Sequence, residues 1–235
     1  MLRKKALLGT ITATVMLFAT TFAIAANITG TPGPDTINGT AAADDIKGLG
    51  GDDTLSGRGG NDVIDGGSDD DTINGDGACP TGSPTTGPYA CIPGNPGNDR
   101  LFGGSGQDTI NGNNGNDRLS GQGDDDRLRG NAGRDRMTGG SGLDVLSGGD
   151  GADFLTGGDG DDKLRGQGGN DRITGGSGRD LIEGGSGNDR ISARDGERDR
   201  INCGKGRRDR VTADRRDKIA RNCERVRRSG RRSRN

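Results

Sequence analysis

Aspartate recurs every nine residues through most of a 235-residue chain. A first run comprises Asp35, Asp44, Asp53, Asp62 and Asp71; a second comprises Asp99, Asp108, Asp117, Asp126, Asp135, Asp144, Asp153, Asp162, Asp171, Asp180 and Asp189. A glycine stands five residues before every one of them, from Gly30 to Gly184, and a second glycine two residues before all but three, the exceptions being Ala42, Asp69 and Asp124. Glycine lets backbone carbonyls crowd inward where a Cβ would block them. Carboxylates and carbonyls in register are oxygen ligands, and the chemistry they suit is capture of a hard cation. Calcium takes about six to eight oxygens at about 2.3–2.6 Å in tolerant geometry. Aligned carboxylates repel one another, and a divalent ion removes that repulsion. Zinc is disfavoured because the chain has no histidine and its four cysteines lack paired C-x-x-C spacing. Magnesium is less suited, since it insists on octahedral geometry and keeps its waters.

The elements that must hold these residues follow from the same period. Two positions after each aspartate stands an aliphatic residue or methionine, without exception, from Ile37 through Met137 to Ile191. Each nonapeptide thus divides into a six-residue turn and a three-residue strand. With a side-chain period of two, Ile110 points inward while Thr109 and Asn111 face water. The position just after the aspartate varies freely, as in Thr72, Arg118 and Phe154, whereas the one after that never becomes polar. A disordered Gly/Asp-rich segment would not require this phase.

The segment Gly175-Gly176-Ser177-Gly178-Arg179-Asp180-Leu181-Ile182-Glu183 resembles the G-G-x-G-x-D-x-U-x unit of the repeats-in-toxin, or hemolysin-type, calcium-binding nonapeptide family. The resemblance covers positions 30 to 192 apart from one insertion. It implies an all-β fold: a parallel β-roll, that is, a two-sheet β-solenoid in which two nonapeptides make an 18-residue coil. Sixteen repeats would give about eight coils, with Leu119 stacked on Met137 and Leu128 on Leu146. It also implies that each calcium ion lies between one turn and the turn two repeats later, bound by the sixteen aspartates and by turn carbonyls, in at most fourteen complete sites. The early sites are expected to be the least complete. Gly39-Thr40-Ala41-Ala42-Ala43 departs furthest from the pattern, and Pro32 and Pro34 stiffen the first turn.

Composition argues that ions and folding go together. Hydrophobic residues make up 26% of the chain, against roughly 45–50% apolar, glycine included, in ordinary globular proteins. Forty-nine glycines raise the entropy cost of ordering. Positions 27 to 193 hold 13 basic against 28 acidic residues, a net of −15. Without the ion such a chain is expected to be expanded, so that binding and folding are one event. The first 26 positions read as a signal peptide: Arg3, Lys4 and Lys5, an apolar run from Ala6 to Phe22, then Ala23-Ile24-Ala25-Ala26. The run is short and threonine-interrupted for a membrane span, so no span is expected after cleavage and the product is expected outside the cell, with association with the cell surface as a second reading. Export supplies calcium and an oxidising compartment.

The expected organisation is therefore a signal peptide (1–26), N-terminal calcium-binding repeats (27–74), an inserted loop (75–93), the main calcium-binding roll (94–192) and a degenerate, basic C-terminal cap and tail (193–235). The loop carries Cys79 and Cys91, expected to form a disulfide. In the tail the Asp-x-apolar unit persists at slipped spacings in Asp199-Arg200-Ile201, Asp209-Arg210-Val211 and Asp217-Lys218-Ile219, and a Cys203 to Cys223 bridge is expected to fasten these as a cap. Positions 194 to 235 hold 17 basic against 7 acidic residues. Runs such as Arg207-Arg208 and Arg231-Arg232 suit a cell-wall or matrix polymer as a second partner after calcium. No aromatic residue accompanies them, so a nucleic-acid partner is not expected. Catalysis is not expected either: no histidine can act as base, and no nucleophile motif occurs in a strand-turn-helix setting. The reading is a secreted calcium-binding protein, with a calcium-rigidified wall or matrix adhesion protein as the alternative and a non-catalytic remnant of a secreted enzyme or toxin less favoured.

Overall fold

Alternation of one aliphatic residue with outward-facing neighbours produces short strands, and glycine at the turns lets each coil lie directly on the last. The computed structural model describes residues 14–15, 25–76 and 97–228. Among these lie twenty-two strands, numbered in chain order from β1 (Thr14–Val15) and β2 (Asn27–Thr29) to β21 (Lys218–Ile219) and β22 (Arg225–Arg228). Successive strands alternate between two sheets, so that one parallel eleven-stranded sheet contains the odd-numbered strands and the other the even-numbered. No helix occurs among the described residues, and none is therefore long and apolar enough to cross a membrane.

Register confirms the 18-residue coil: Leu119 lies opposite Met137 and Leu128 opposite Leu146. The roll runs to about ten turns rather than eight, because the slipped units beyond Ala193 continue it. Arg200 lies opposite Leu181, Arg210 opposite Arg190, and Arg225 opposite Arg210. The uneven spacings are thus absorbed in turns while the strands keep their partners. Cys203 and Cys223 form the expected disulfide, with Cα atoms 5.3 Å apart. The Cys79 to Cys91 pair and nearly all of the leader lie outside the described residues.

Two details differ from the division into six-residue turns and three-residue strands. Most strands are six residues long, because the ladder resumes after one residue and continues into the turn. Arg118, Leu119 and Ser120 pair with Arg136, Met137 and Thr138, Gly121 is skipped, and Gln122 and Gly123 pair with Gly140 and Ser141. This needs left-handed backbone at the second and fourth turn positions, such as Gly104 (φ 121°) and Gly106 (φ 122°). A Cβ at Gly106 would lie 2.1 Å from the Asp69 carbonyl oxygen of the coil beneath. The second difference concerns the insertion. Gly75 completes β7 (Thr72–Asp76) and stands before Asp99 as other glycines stand before their aspartates. The described part of the roll thus extends through Asp76 and resumes at Gly97. Across this gap Ile64 pairs with Leu101 and Ile73 with Ile110, with no loss of register.

The interior is two facing columns of one residue per strand, Ile37 to Val211, each at most 2% exposed. The aliphatic columns set the register of the coils.

Candidate metal centre

Each repeat aspartate ends a turn and enters a strand, which aims its carboxyl into the edge of the roll rather than outward. All sixteen expected aspartates are buried, none more than 3% exposed. Their Oδ1 atoms form two continuous series, one along each edge. The Asp126 backbone N–H donates to Asp144 Oδ1 at 2.9 Å, that of Asp144 to Asp162 at 2.9 Å, and that of Asp162 to Asp180 at 3.0 Å. On the other edge Asp117 donates to Asp135 at 2.8 Å and Asp135 to Asp153 at 2.9 Å. The series cross the insertion unchanged, Asp62 donating to Asp99 and Asp71 to Asp108, both at 2.8 Å.

The second oxygen behaves differently. In Asp53, Asp71, Asp108, Asp126, Asp135, Asp144, Asp153, Asp162, Asp171, Asp180, Asp189 and Asp209, Oδ2 is buried with no hydrogen-bond partner. It faces a hollow that exists only because the residue beside it is glycine. A Cβ on Gly121 would lie 2.0 Å from Asp126 Oδ2 and 2.8 Å from the Gly139 carbonyl oxygen of the next coil. At Gly139 the corresponding distances, to Asp144 Oδ2 and the Gly157 carbonyl oxygen, are 2.2 and 2.7 Å. Two acceptor oxygens thus converge where no donor reaches, an arrangement that costs free energy unless a proton or a cation lies between them.

Burial raises these carboxyls above the ordinary 3.8, and neighbouring carboxylates add to it, while the backbone N–H bond pulls the other way. Asp71, Asp126, Asp162 and Asp171 rise to about 7, and Asp108, Asp135, Asp180 and Asp189 to about 6. Among the described residues no group of three or more carboxylate, thiol or imidazole side chains converges. A cation held here would draw most of its ligands from backbone carbonyls, with the orphaned Oδ2 supplying charge. Such an all-oxygen donor set fits calcium.

The ends of the roll are built otherwise. Thr31 donates its backbone N–H (2.5 Å) and hydroxyl (3.0 Å) to Asp35 Oδ2, and the Thr40 N–H donates to Asp44 Oδ2 at 2.5 Å. Thr31 and Thr40 thus serve Asp35 Oδ2 and the Asp44 carboxylate from within the turn, while Asp35 Oδ1 is buried without a hydrogen-bond partner. At the other end the series includes residues outside the sixteen. Asp199, Asp209 and Asp217 are buried, Asp180 N–H donating to Asp199 and Asp189 N–H to Asp209 at 2.9 and 2.7 Å. Glu224 closes one edge by accepting the Asp209 N–H at 2.9 Å, and Asp217 accepts the Asp214 N–H with Oδ2. The signal was present in Asp-x-aliphatic and in Glu224-Arg225-Val226, but not at nine-residue spacing.

The family model of the RTX calcium-binding nonapeptide repeat (4 copies) matches residues 27–55, 47–78, 93–128, 120–155, 129–164 and 165–197. Comparison with curated proteins gave no match.

Proposed function

The chain belongs to the family of RTX calcium-binding nonapeptide repeats, which bind several calcium ions, and from that premise we propose that it is a secreted calcium-binding protein whose roll folds as the ions bind. The observation that carries this reading is the row of buried Oδ2 atoms, which face carbonyl oxygens across glycine hollows as at Gly121 and Gly139. Asp53, Asp62, Asp71 and the aspartates from Asp99 to Asp189 would hold the ions, together with the carbonyls of position-one glycines such as Gly139 and Gly157. Asp44, already supplied by Thr40, contributes least, and Asp35 offers only its Oδ1, since Thr31 supplies Oδ2. The bound ion supplies positive charge that offsets the desolvation of the carboxylates, and the protein supplies fixed oxygens and the exclusion of water.

Rolls of this family are typically non-catalytic, and the chain acts here as a binding protein rather than an enzyme. Family members are generally extracellular, which agrees with the leader and with the oxidised Cys203–Cys223 bridge. The test is far-UV circular dichroism of residues 27–235 during a calcium titration, with magnesium in parallel. A coil-like spectrum that converts to β-sheet with calcium, and not with magnesium, is expected. A full β-sheet spectrum under strong chelation at neutral pH overturns the coupling of folding to ions.

A further inference from the structure

On the outer face of the even-numbered sheet the residue that opens each strand is basic for most of the roll. The row runs from Arg100 through Arg118 and Arg136, past Phe154, to Arg172, Arg190, Arg210 and Arg225, each directly opposite the next. These seven arginines are exposed, and none forms an ion pair among the described residues. Adjacent strands lie about 4.8 Å apart, and like charges directly opposite one another destabilise a sheet. Phe154 relieves one junction, with the guanidinium groups of Arg136 and Arg172 each 5.0 Å from its ring centre. Nothing comparable relieves the stretch from Arg172 to Arg225.

Two residues further along each strand, on the same face, runs a row of hydroxyls: Ser120, Thr138, Thr156, Thr174, Ser192 and Thr212. Towards the C-terminal end a groove of about 600 Å³ lies along the two rows, lined by Arg172, Arg190, Arg210 and Arg225 with the intervening Thr and Ser residues. The buried aspartates do not neutralise the arginines, because they lie inside the edges of the roll, where the proposed function gives them to calcium.

We propose that this face binds a linear polysaccharide bearing one carboxylate on each sugar ring. Guanidinium groups take carboxylates bidentately. One strand spacing is close to the advance of one pyranose ring along such a chain, so the carboxylates that recur along one side of the chain fall in step with arginines of the row while the hydroxyl row meets ring hydroxyls. The face has two isolated aromatics, Phe154 in the arginine row and Phe102 opposite Ser120, and so offers no stacking series for nucleic-acid bases. The row exists only in the folded roll, so this inference rests on the calcium reading; circular dichroism of the same samples tells the two failures apart.

The experiment is fluorescence anisotropy of labelled octagalacturonate, too short to gel with calcium, titrated with the full chain in calcium. Binding that weakens with added salt is expected, falling at least about tenfold in the R172Q/R190Q/R210Q variant. An R127Q/R129Q variant, altered on the opposite sheet, is expected to bind within about twofold of the parent. A calcium-folded parent chain that does not bind at low salt overturns the inference. So does an equal loss in both variants, or displacement of the octamer by inorganic polyphosphate or oligothymidylate at matched charge, which would mean that charge alone is recognised.

Discussion

Interior repeat aspartates such as Asp126 and Asp135 carry two oxygens with opposite fates, and this division predicts how single substitutions act. Oδ1 accepts a backbone N–H, a role an amide oxygen can fill, whereas Oδ2 has nothing but its charge to offer. Asp135→Asn should therefore keep the coil in register and lose about one bound ion by calorimetry, with the calcium midpoint raised several-fold. Asp44→Asn should leave the ion count unchanged, because Thr40 already serves that carboxylate. The raised carboxyls also set a pH dependence. A group whose folded value lies above its unfolded one contributes stability that is complete below the unfolded value, about 3.9, and lost as pH rises through the folded one. With folded values of about 6 to 7, the chelated chain should gain β-sheet as pH falls from 8 towards 5, protons standing in for ions. In calcium the trend reverses, and bound ions should be released through the same interval, which an ion-selective electrode would register. Asp and Gly at fixed spacing made these positions legible in the sequence. What spacing could not reveal was the protection of Asp35 and Asp44, because it comes from a threonine hydroxyl and a backbone N–H within one turn.

At the scale of the element, the turn is the sensitive part and the strand the tolerant one. A methyl group on Gly121 would enter the hollow shared by Asp126 and the Gly139 carbonyl. Gly121→Ala should therefore abolish the ion there and lower the stability of the calcium form by about 2–4 kcal/mol in thermal unfolding. Gly33→Ala, with nothing within 4 Å of its added carbon, should change stability by less than about 1 kcal/mol. The aliphatic columns ask only for size and shape, so Met137→Leu should cost under about 1.5 kcal/mol. Strand positions and their inward residues were readable from the Asp-x-aliphatic unit alone. The extension of each ladder into the turn was not, because it depends on left-handed backbone that Gln122 and Leu49 also adopt (φ 86° and 89°). Nor was the place of Gly75 before Asp99, which shows only in its packing beside Asp99 Oδ2 and the Gly112 carbonyl oxygen.

Across the whole molecule every coil touches only its neighbours, so stability adds up along the axis and failure begins at the ends. The last coils lack regular glycine spacing and are held by Cys203–Cys223, a bridge that closes a 20-residue separation. Such a link stabilises by about 3 kcal/mol. Reduction in calcium should therefore release hydrogen-exchange protection beyond Ala193 while strands from Arg100 to Ser186 keep theirs; uniform loss along the roll would contradict an array of independent coils. Coil count was under-read from the sequence because regular period and family pattern both fade before the fold does. The passage from Asp76 to Gly97 has a wider meaning. Rungs on either side of it close as though the intervening chain were absent, so this corner is a splice site that the scaffold does not police. Foreign domains inserted there should be carried as passengers, and descendants of this chain are free to exchange that cargo without relearning how to fold.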